Sequence, residues 1–189
     1  MSASRRSALL LGVALVLGAC QSGSDIVPTC GRGNEAALVL VAQSVPSATL
    51  LPCVDVLAAG WRTAGGSIVD GRTQFWLESD LAGFRSVEVE LAAECDTSRA
   101  IEVVPSPDEA GARVFQEPTS LDPFRGKRYL TFEGGCATYT YSFRPGAPIQ
   151  LSLEAEEALS FAPRDQAVTF ARDELDQTLC GAGAPPCDG

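Results

Sequence analysis

Residues 67–78 read SIVDGRTQFWLE and predict a β-hairpin. Two short runs of strand-forming residues flank Asp70-Gly71, and an Asp-Gly pair supplies the positive φ angles of a tight type I′ turn. Residues 86–91, SVEVEL, then alternate strictly between apolar and polar positions. Such alternation is typical of a strand with one buried face. Both stretches therefore make antiparallel β-structure the dominant element of the fold.

Other short strand candidates lie on both sides of these two stretches, with turn residues between them. They are residues 49–53, 100–104, 113–117, 129–132, 137–143 and 149–154. Many short strands in one chain indicate an antiparallel sandwich or barrel. Residues 36–43 fit a helix or a buried strand equally well, because a short apolar run has no decisive period.

The hydrophobic period changes near the C terminus and predicts an α-helix. Pro163 suits its first turn, and Asp165 suits the positive end of the helix dipole. Apolar residues then recur at helical spacing: Val168, Ala171, Leu175 and Leu179. Gly181 is expected to end the helix. The predicted fold is a mainly β domain with a C-terminal helix, stapled by disulfides.

The first 20 residues predict export. Arg5 and Arg6 precede an uninterrupted apolar run over residues 8–19. This run is too short to cross a bilayer, which takes about 20 residues, but it has the length of a signal-peptide core. Its last residues and the next one, LGAC at 17–20, resemble a bacterial lipobox. The alternative is a plain secretion signal followed by an incidental cysteine.

The lipobox resemblance implies that Cys20 receives a diacylglycerol group and becomes the mature N terminus. Two acyl chains give stable attachment where one is marginal. We therefore expect a signal peptide at 1–19, a lipidated tether at 20–29 and a single extracytoplasmic domain at 30–189. The expected location is the outer face of the cell membrane, with the lipid anchor as the membrane contact.

The charge of the mature chain argues against nucleic acid as a partner. Removal of Arg5 and Arg6 from the 14 basic residues leaves 12, against 24 acidic ones, for a net charge of −12. Such a surface repels nucleic acid and anionic headgroups. The expected partners are a cell-wall component or another exported protein.

Six cysteines remain after Cys20, and an even number in an exported chain implies three disulfides. Sequence cannot choose among the pairings. Our hypothesis is sequential pairing: Cys30–Cys53, Cys95–Cys136 and Cys180–Cys187. The chain has no histidine and no Cys-x-x-Cys pair, so neither a metal site nor a cofactor is expected.

The lack of histidine also removes the Ser-His-Asp and Cys-His catalytic arrangements. Paired carboxylates are what a glycosidase would use instead. Candidate pairs are Glu78 with Asp80, Glu88 with Glu90, and Glu94 with Asp96. In so acidic a chain such pairs are expected by chance on solvated strand faces, and we predict no catalytic residue. One basic cluster, residues 125–128, could bind a phosphate or an acidic patch of a partner, but it is interpreted as a loop that relieves the acidic surface.

Four aromatic residues are the candidates for ligand binding: Trp61, Trp76, Tyr139 and Tyr141. An aromatic row can stack on sugars, but it more often belongs to the core. Tyr139 and Tyr141 share one face of their predicted strand.

Three stretches carry a family resemblance: PSATLLPC at 46–53, FWLESD at 75–80 and LCGAGAPPC at 179–187. With the lipobox, they make the chain resemble uncharacterised membrane-anchored lipoproteins of actinobacteria. That resemblance implies a location and no activity. The expected function is a non-enzymatic binding or interaction module of the cell envelope. The alternatives are a carboxylate-dependent cell-wall hydrolase and a purely structural envelope protein.

Overall fold

The computed structural model describes residues 26–31, 33–106, 109, 111–182 and 185–186. The predicted signal peptide, Cys20 and Cys187 lie outside these residues. The elements in chain order are α1 (Glu35–Ser44), β1 (Leu50–Val54), β2 (Trp61–Val69), β3 (Arg72–Ser79), β4 (Gly83–Ala92), β5 (Ile101–Val103), β6 (Arg113–Leu121), β7 (Phe124–Phe132), β8 (Gly135–Ser142), α2 (Leu151–Glu157), β9 (Leu159–Pro163) and α3 (Arg164–Leu175).

Seven strands form one sheet in the order β2-β3-β4-β8-β7-β6-β5, and β1 pairs with β9 in a second, two-stranded sheet. Every pair of neighbouring strands is antiparallel. The prediction of a mainly antiparallel β fold with a C-terminal helix is confirmed. Within the described residues, β2 and β5 each pair on one side only, so strand pairing leaves the large sheet open.

The predicted hairpin of residues 67–78 joins β2 to β3. Gly71 has a φ of 78°, whereas Asp70 does not have a positive φ. The turn is therefore not of type I′, which needs positive φ at both central residues. The Gly71 N–H donates to the Ser44 carbonyl at 2.8 Å, so the end of α1 holds the turn from outside.

Two predictions are decided by the structure: one was left open by the sequence, and the other was wrong. Residues 36–43, which fitted a helix or a strand, lie in α1. Residues 149–154 were predicted as a strand, but α2 begins at Leu151. The strand prediction was wrong because its alternating apolar residues do not share a buried face: Leu151 is buried, whereas Ile149 is 43% exposed and Leu153 is 59% exposed. The helix instead buries Leu151, Ser152 and Ala155, which lie on one face at helical spacing.

The predicted C-terminal helix exists as α3 and starts after Pro163 with Asp165 in its first turn. It ends earlier than Gly181, because Asp176 adopts a left-handed conformation at the C-cap with a φ of 52°. Its buried apolar positions are Ala167 and Ala171. These small residues allow α3 to approach α1 closely.

The disulfides follow the predicted sequential order where both partners are described. Cys30 is bonded to Cys53, and Cys95 is bonded to Cys136. Cys180 is also disulfide-bonded, and its predicted partner Cys187 lies outside the described residues.

The N-terminal segment is attached to β1. The Val54 N–H donates to the Pro28 carbonyl at 2.8 Å, and the Cys30 N–H donates to the Val54 carbonyl at 2.9 Å. The Ile26 carbonyl occupies the space where a side chain at Gly66 would lie. The chain therefore enters the domain across β2 and continues beside β1.

Two hydrophobic clusters form the core. One lies on the inner face of the large sheet and includes Phe75, Val89 and Tyr139 with Leu151 and Ala155 of α2. The other joins α1, α3 and the small sheet to Leu91 at the end of β4. In the described residues, no helix has the length and apolar character needed to cross a membrane.

Candidate functional site

The four candidate aromatic residues do not form one surface. Trp76 is half-buried on the outer face of the large sheet, where its Nε1 donates to Glu88 at 2.9 Å and the Arg85 guanidinium lies 4.3 Å from its ring centre. The other three, Trp61, Tyr139 and Tyr141, are buried in the core on the inner side. The sequence pattern had placed Tyr139 and Tyr141 together, and that placement is correct.

Tyr139 faces an ionic cluster that no local sequence pattern indicates. Its register partner on β7 is Arg128, which is 7% exposed. Arg128 Nε donates to Glu109 at 2.9 Å, and Nη2 donates to the same carboxylate at 2.7 and 2.8 Å. Glu156 of α2 lies 3.8 Å from Arg128 Nε. One guanidinium thus holds two carboxylates from distant parts of the chain.

Tyr141 completes this cluster from the neighbouring position on β8. Its hydroxyl donates to Glu156 Oε1 at 2.8 Å. Trp61 belongs to the same region, because its Nε1 donates at 3.0 Å to Glu154, which precedes Glu156 by two residues on α2. Helix α2 is therefore fastened to the inner face of the sheet by polar contacts as well as apolar ones.

Burial sets the protonation of these groups. It raises the pKa of Glu156 against the opposing effects of Arg128 and Tyr141. Burial also raises the pKa of Tyr139 and of Tyr141 above the ordinary value of 10.0. Both phenols therefore stay neutral at any physiological pH and can donate or accept a hydrogen bond.

A cavity of about 450 Å³ opens beside the cluster, and we call it the Arg128 cavity. Its charged lining residues are Asp55, Glu109, Arg128, Glu156 and Glu157. Tyr139 lines it too, and among the described residues its buried hydroxyl has no hydrogen-bond partner. An unpaired buried hydroxyl costs about 1–3 kcal/mol. The cavity therefore has an excess of negative charge, and one residue of its lining has an unpaired hydroxyl that is closed off from solvent.

The carboxylate pairs that the sequence suggested have other partners. Glu78 and Asp80 both bind Arg62. Glu88 and Glu90 accept from Gln74 on the outer face of the sheet. Those two acids share a polar depression of about 400 Å³ with Glu94 and Asp96. No group of three or more His, Cys, Asp or Glu residues in the described part of the chain is placed to hold a metal ion.

The basic cluster at 125–128 is a strand and not a loop. It lies in β7, where successive side chains point to opposite faces. Lys127 therefore points outward, where it lines the polar depression, and Arg128 points into the core. If the predicted strand at 129–132 had been extended toward the N terminus, its alternation would have assigned Lys127 and Arg128 to opposite faces of the sheet.

Comparison with known proteins finds no similar sequence or fold. No protein-family model, no curated protein and no solved structure matches the chain. The function has to be inferred from the geometry of the Arg128 cavity and from the sequence signals at the N terminus.

Proposed function

We propose that the protein is a lipid-anchored binding module on the outer face of the cell membrane, and that the Arg128 cavity binds a small organic cation. The lipobox at 17–20 and the disulfides support an extracytoplasmic location, because disulfides persist in oxidising compartments. The observation that carries the binding role is the unpartnered Tyr139 hydroxyl in an acidic cavity. The proposed function requires no catalysis.

The charge balance of the cavity selects a cation. Arg128 is the one cationic side chain among the described lining residues, and its hydrogen bonds to Glu109 already neutralise it. Asp55 and Glu157 are exposed at the rim, where they attract positive ligands from solution. An ammonium group offers several N–H donors, so it can bind a carboxylate of the lining and also the Tyr139 oxygen once the surrounding side chains shift, because that oxygen is closed off from solvent in this structure. An amine-bearing cell-wall component or exported protein would supply such a group.

Calorimetric titration tests the binding role. The Cys20→Ala protein, which lacks the predicted acyl chains and needs no detergent, is titrated with butylamine and, separately, with butyrate. We expect binding of the amine only, and a loss of about tenfold in affinity in Tyr139→Phe, which removes one hydrogen bond to a charged group. Tyr129→Phe is the matched control, since its hydroxyl contacts Glu117 outside the cavity. Failure of the amine to bind would favour the purely structural alternative.

Mass spectrometry tests the anchor. The wild-type protein should carry the mass of the lipid on Cys20 and stay with the membrane fraction. Cys20→Ala should lose that mass and appear in the medium. Recovery of an unmodified wild-type protein from the medium would contradict the anchor and would leave the cavity hypothesis untouched.

A carboxylate-dependent hydrolase is the second candidate, and one observation favours it. Glu109 and Glu156 both lie beside Arg128, and burial raises the pKa of Glu156, as a general acid requires. Against it, both oxygens of Glu109 accept from Arg128. Cell-wall hydrolysis that is lost in Glu156→Gln but retained in Glu88→Gln would support this candidate.

A further inference from the structure

A second cavity adjoins the Arg128 cavity, and its lining is mostly apolar. It has a volume of about 250 Å³, and we call it the apolar cavity. It shares Arg128, Leu153 and Glu156 with the Arg128 cavity. The two cavities therefore meet at the ionic cluster, one on its polar side and one toward the turn between β6 and β7.

The apolar cavity is lined by unusually exposed side chains. Leu121 is 74% exposed, Leu153 is 59% exposed and Ile149 is 43% exposed. They come from three separate segments: the end of β6, the helix α2 and the loop before it. A cluster of exposed apolar side chains at a cavity marks a binding surface more often than isolated ones do. Covering these side chains would remove apolar area from water, which is favourable.

We propose that the ligand of this site is an amphipathic amine, with its ammonium group in the Arg128 cavity and its alkyl chain in the apolar cavity. This inference rests on the proposed function, because it extends the same cation site. Leu153 and Glu156 belong to the lining of both cavities, and Leu153 is exposed, so one molecule that passes over Leu153 can occupy both. The carboxylates favour the positive charge of the ligand's head group, and Leu121, Ile149 and Leu153 favour its alkyl chain.

A chain-length series tests the inference. The Cys20→Ala protein is titrated with ethylamine, butylamine, hexylamine and octylamine as monomers, and with octanoate and octanol as head-group controls. Burial of one methylene contributes about 0.8 kcal/mol, which is about fourfold in affinity. We expect affinity to rise by about that factor per methylene until the cavity is full. Octanoate and octanol should bind far more weakly than octylamine.

Matched variants test where the alkyl chain of the amine binds. Leu121→Ser and Ile149→Ser should flatten the increase with chain length, because each removes apolar lining at an exposed position. Leu175→Ser is the control, since Leu175 is 41% exposed at the end of α3, away from both cavities. It should leave the whole series unchanged.

The outcomes separate this inference from the proposed function. Amines that all bind with one affinity, or octanoate that binds as tightly as octylamine, would overturn the amphipathic ligand. The first of these results would leave the cation site in place. Amines that do not bind at any length would overturn both. A steep series that Leu121→Ser and Leu175→Ser flatten equally would also overturn the assignment of the chain to the apolar cavity.

Discussion

Nη2 of Arg128 lies 2.7 and 2.8 Å from the two carboxylate oxygens of Glu109. Their side chains are 8% and 13% exposed, so the pair is almost completely removed from water. A second bidentate pair, Arg113 with Glu102, has similar distances, but its side chains are 68% and 50% exposed. Comparing the two pairs therefore separates the effect of burial on stability from the effect of hydrogen-bond geometry.

We expect Arg128→Met to lower the free energy of unfolding by about 3–5 kcal/mol, because it leaves Glu109 and Glu156 buried without their cation. Arg113→Met should change stability little, since solvent screens an exposed pair. Urea denaturation of the two variants measures the difference. Equal losses in both would contradict the buried cluster.

Stability should also depend on pH through Glu156. Because burial raises its pKa above 4.5, the folded protein holds this proton more tightly than the unfolded chain does. The stabilising contribution is therefore complete below the unfolded pKa and is lost as pH rises through the folded one. Glu156→Gln should therefore gain stability relative to wild type as pH rises above the ordinary carboxyl value of 4.5.

Glu102 is the control for that experiment, because its contribution to stability should depend on pH in the opposite direction. The hydrogen bond from Arg113 lowers the pKa of Glu102. Its contribution is present above the unfolded pKa and is lost as pH falls, so Glu102→Gln should lose stability relative to wild type as pH rises, by a small amount because solvent screens this exposed pair. Unfolding free energies between about pH 2 and about pH 8 give both slopes, because the Glu102 contribution changes below the unfolded pKa of 4.5 and the Glu156 contribution changes above it. Parallel stability curves for wild type and Glu156→Gln would contradict a raised pKa of Glu156 in the folded protein.

Removal of one hydroxyl should stabilise the protein. Tyr139→Phe deletes a buried group without a partner, and we expect a gain of about 1 kcal/mol in the absence of ligand. Tyr141→Phe deletes the donor to Glu156 and should cost a similar amount. Thermal unfolding of the two variants checks the contrast. A loss of stability in Tyr139→Phe would show that its hydroxyl has a partner in solution.

Two glycines with similar backbone conformations should differ in their tolerance of alanine. Gly71 has a φ of 78° and open space around its Cβ position, whereas Gly134 has a φ of 71° and faces the Ser47 carbonyl. A left-handed conformation costs an alanine about 1–2 kcal/mol in both. Gly134→Ala adds overpacking, which costs about 1–3 kcal/mol more. Chemical denaturation should show this order, and equal costs would contradict the close approach of residue 134 to Ser47.

Sequence alone predicted the parts of the fold whose signals are local. The hairpin at 67–78 and the strand at 86–91 depend on turn residues and a period of two, both readable within a few residues. The cation site could not be predicted in this way. Glu109, Arg128 and Glu156 are far apart in sequence, and only the β6–β7 pairing and the docking of α2 bring them together. Residues 149–154 misled because a helix with few buried positions can imitate alternation.

The attachment of the first described residues to β1 has a mechanical consequence. If the chain is pulled by its N terminus, as a bilayer would pull a tethered domain, the segment at 26–29 peels away from Val54 first. Peeling ends at the Cys30–Cys53 bond, because a covalent link does not unzip. The force then enters the domain by two covalent paths, along the backbone toward α1 and through the disulfide into β1, and neither path begins in a strand of the large sheet.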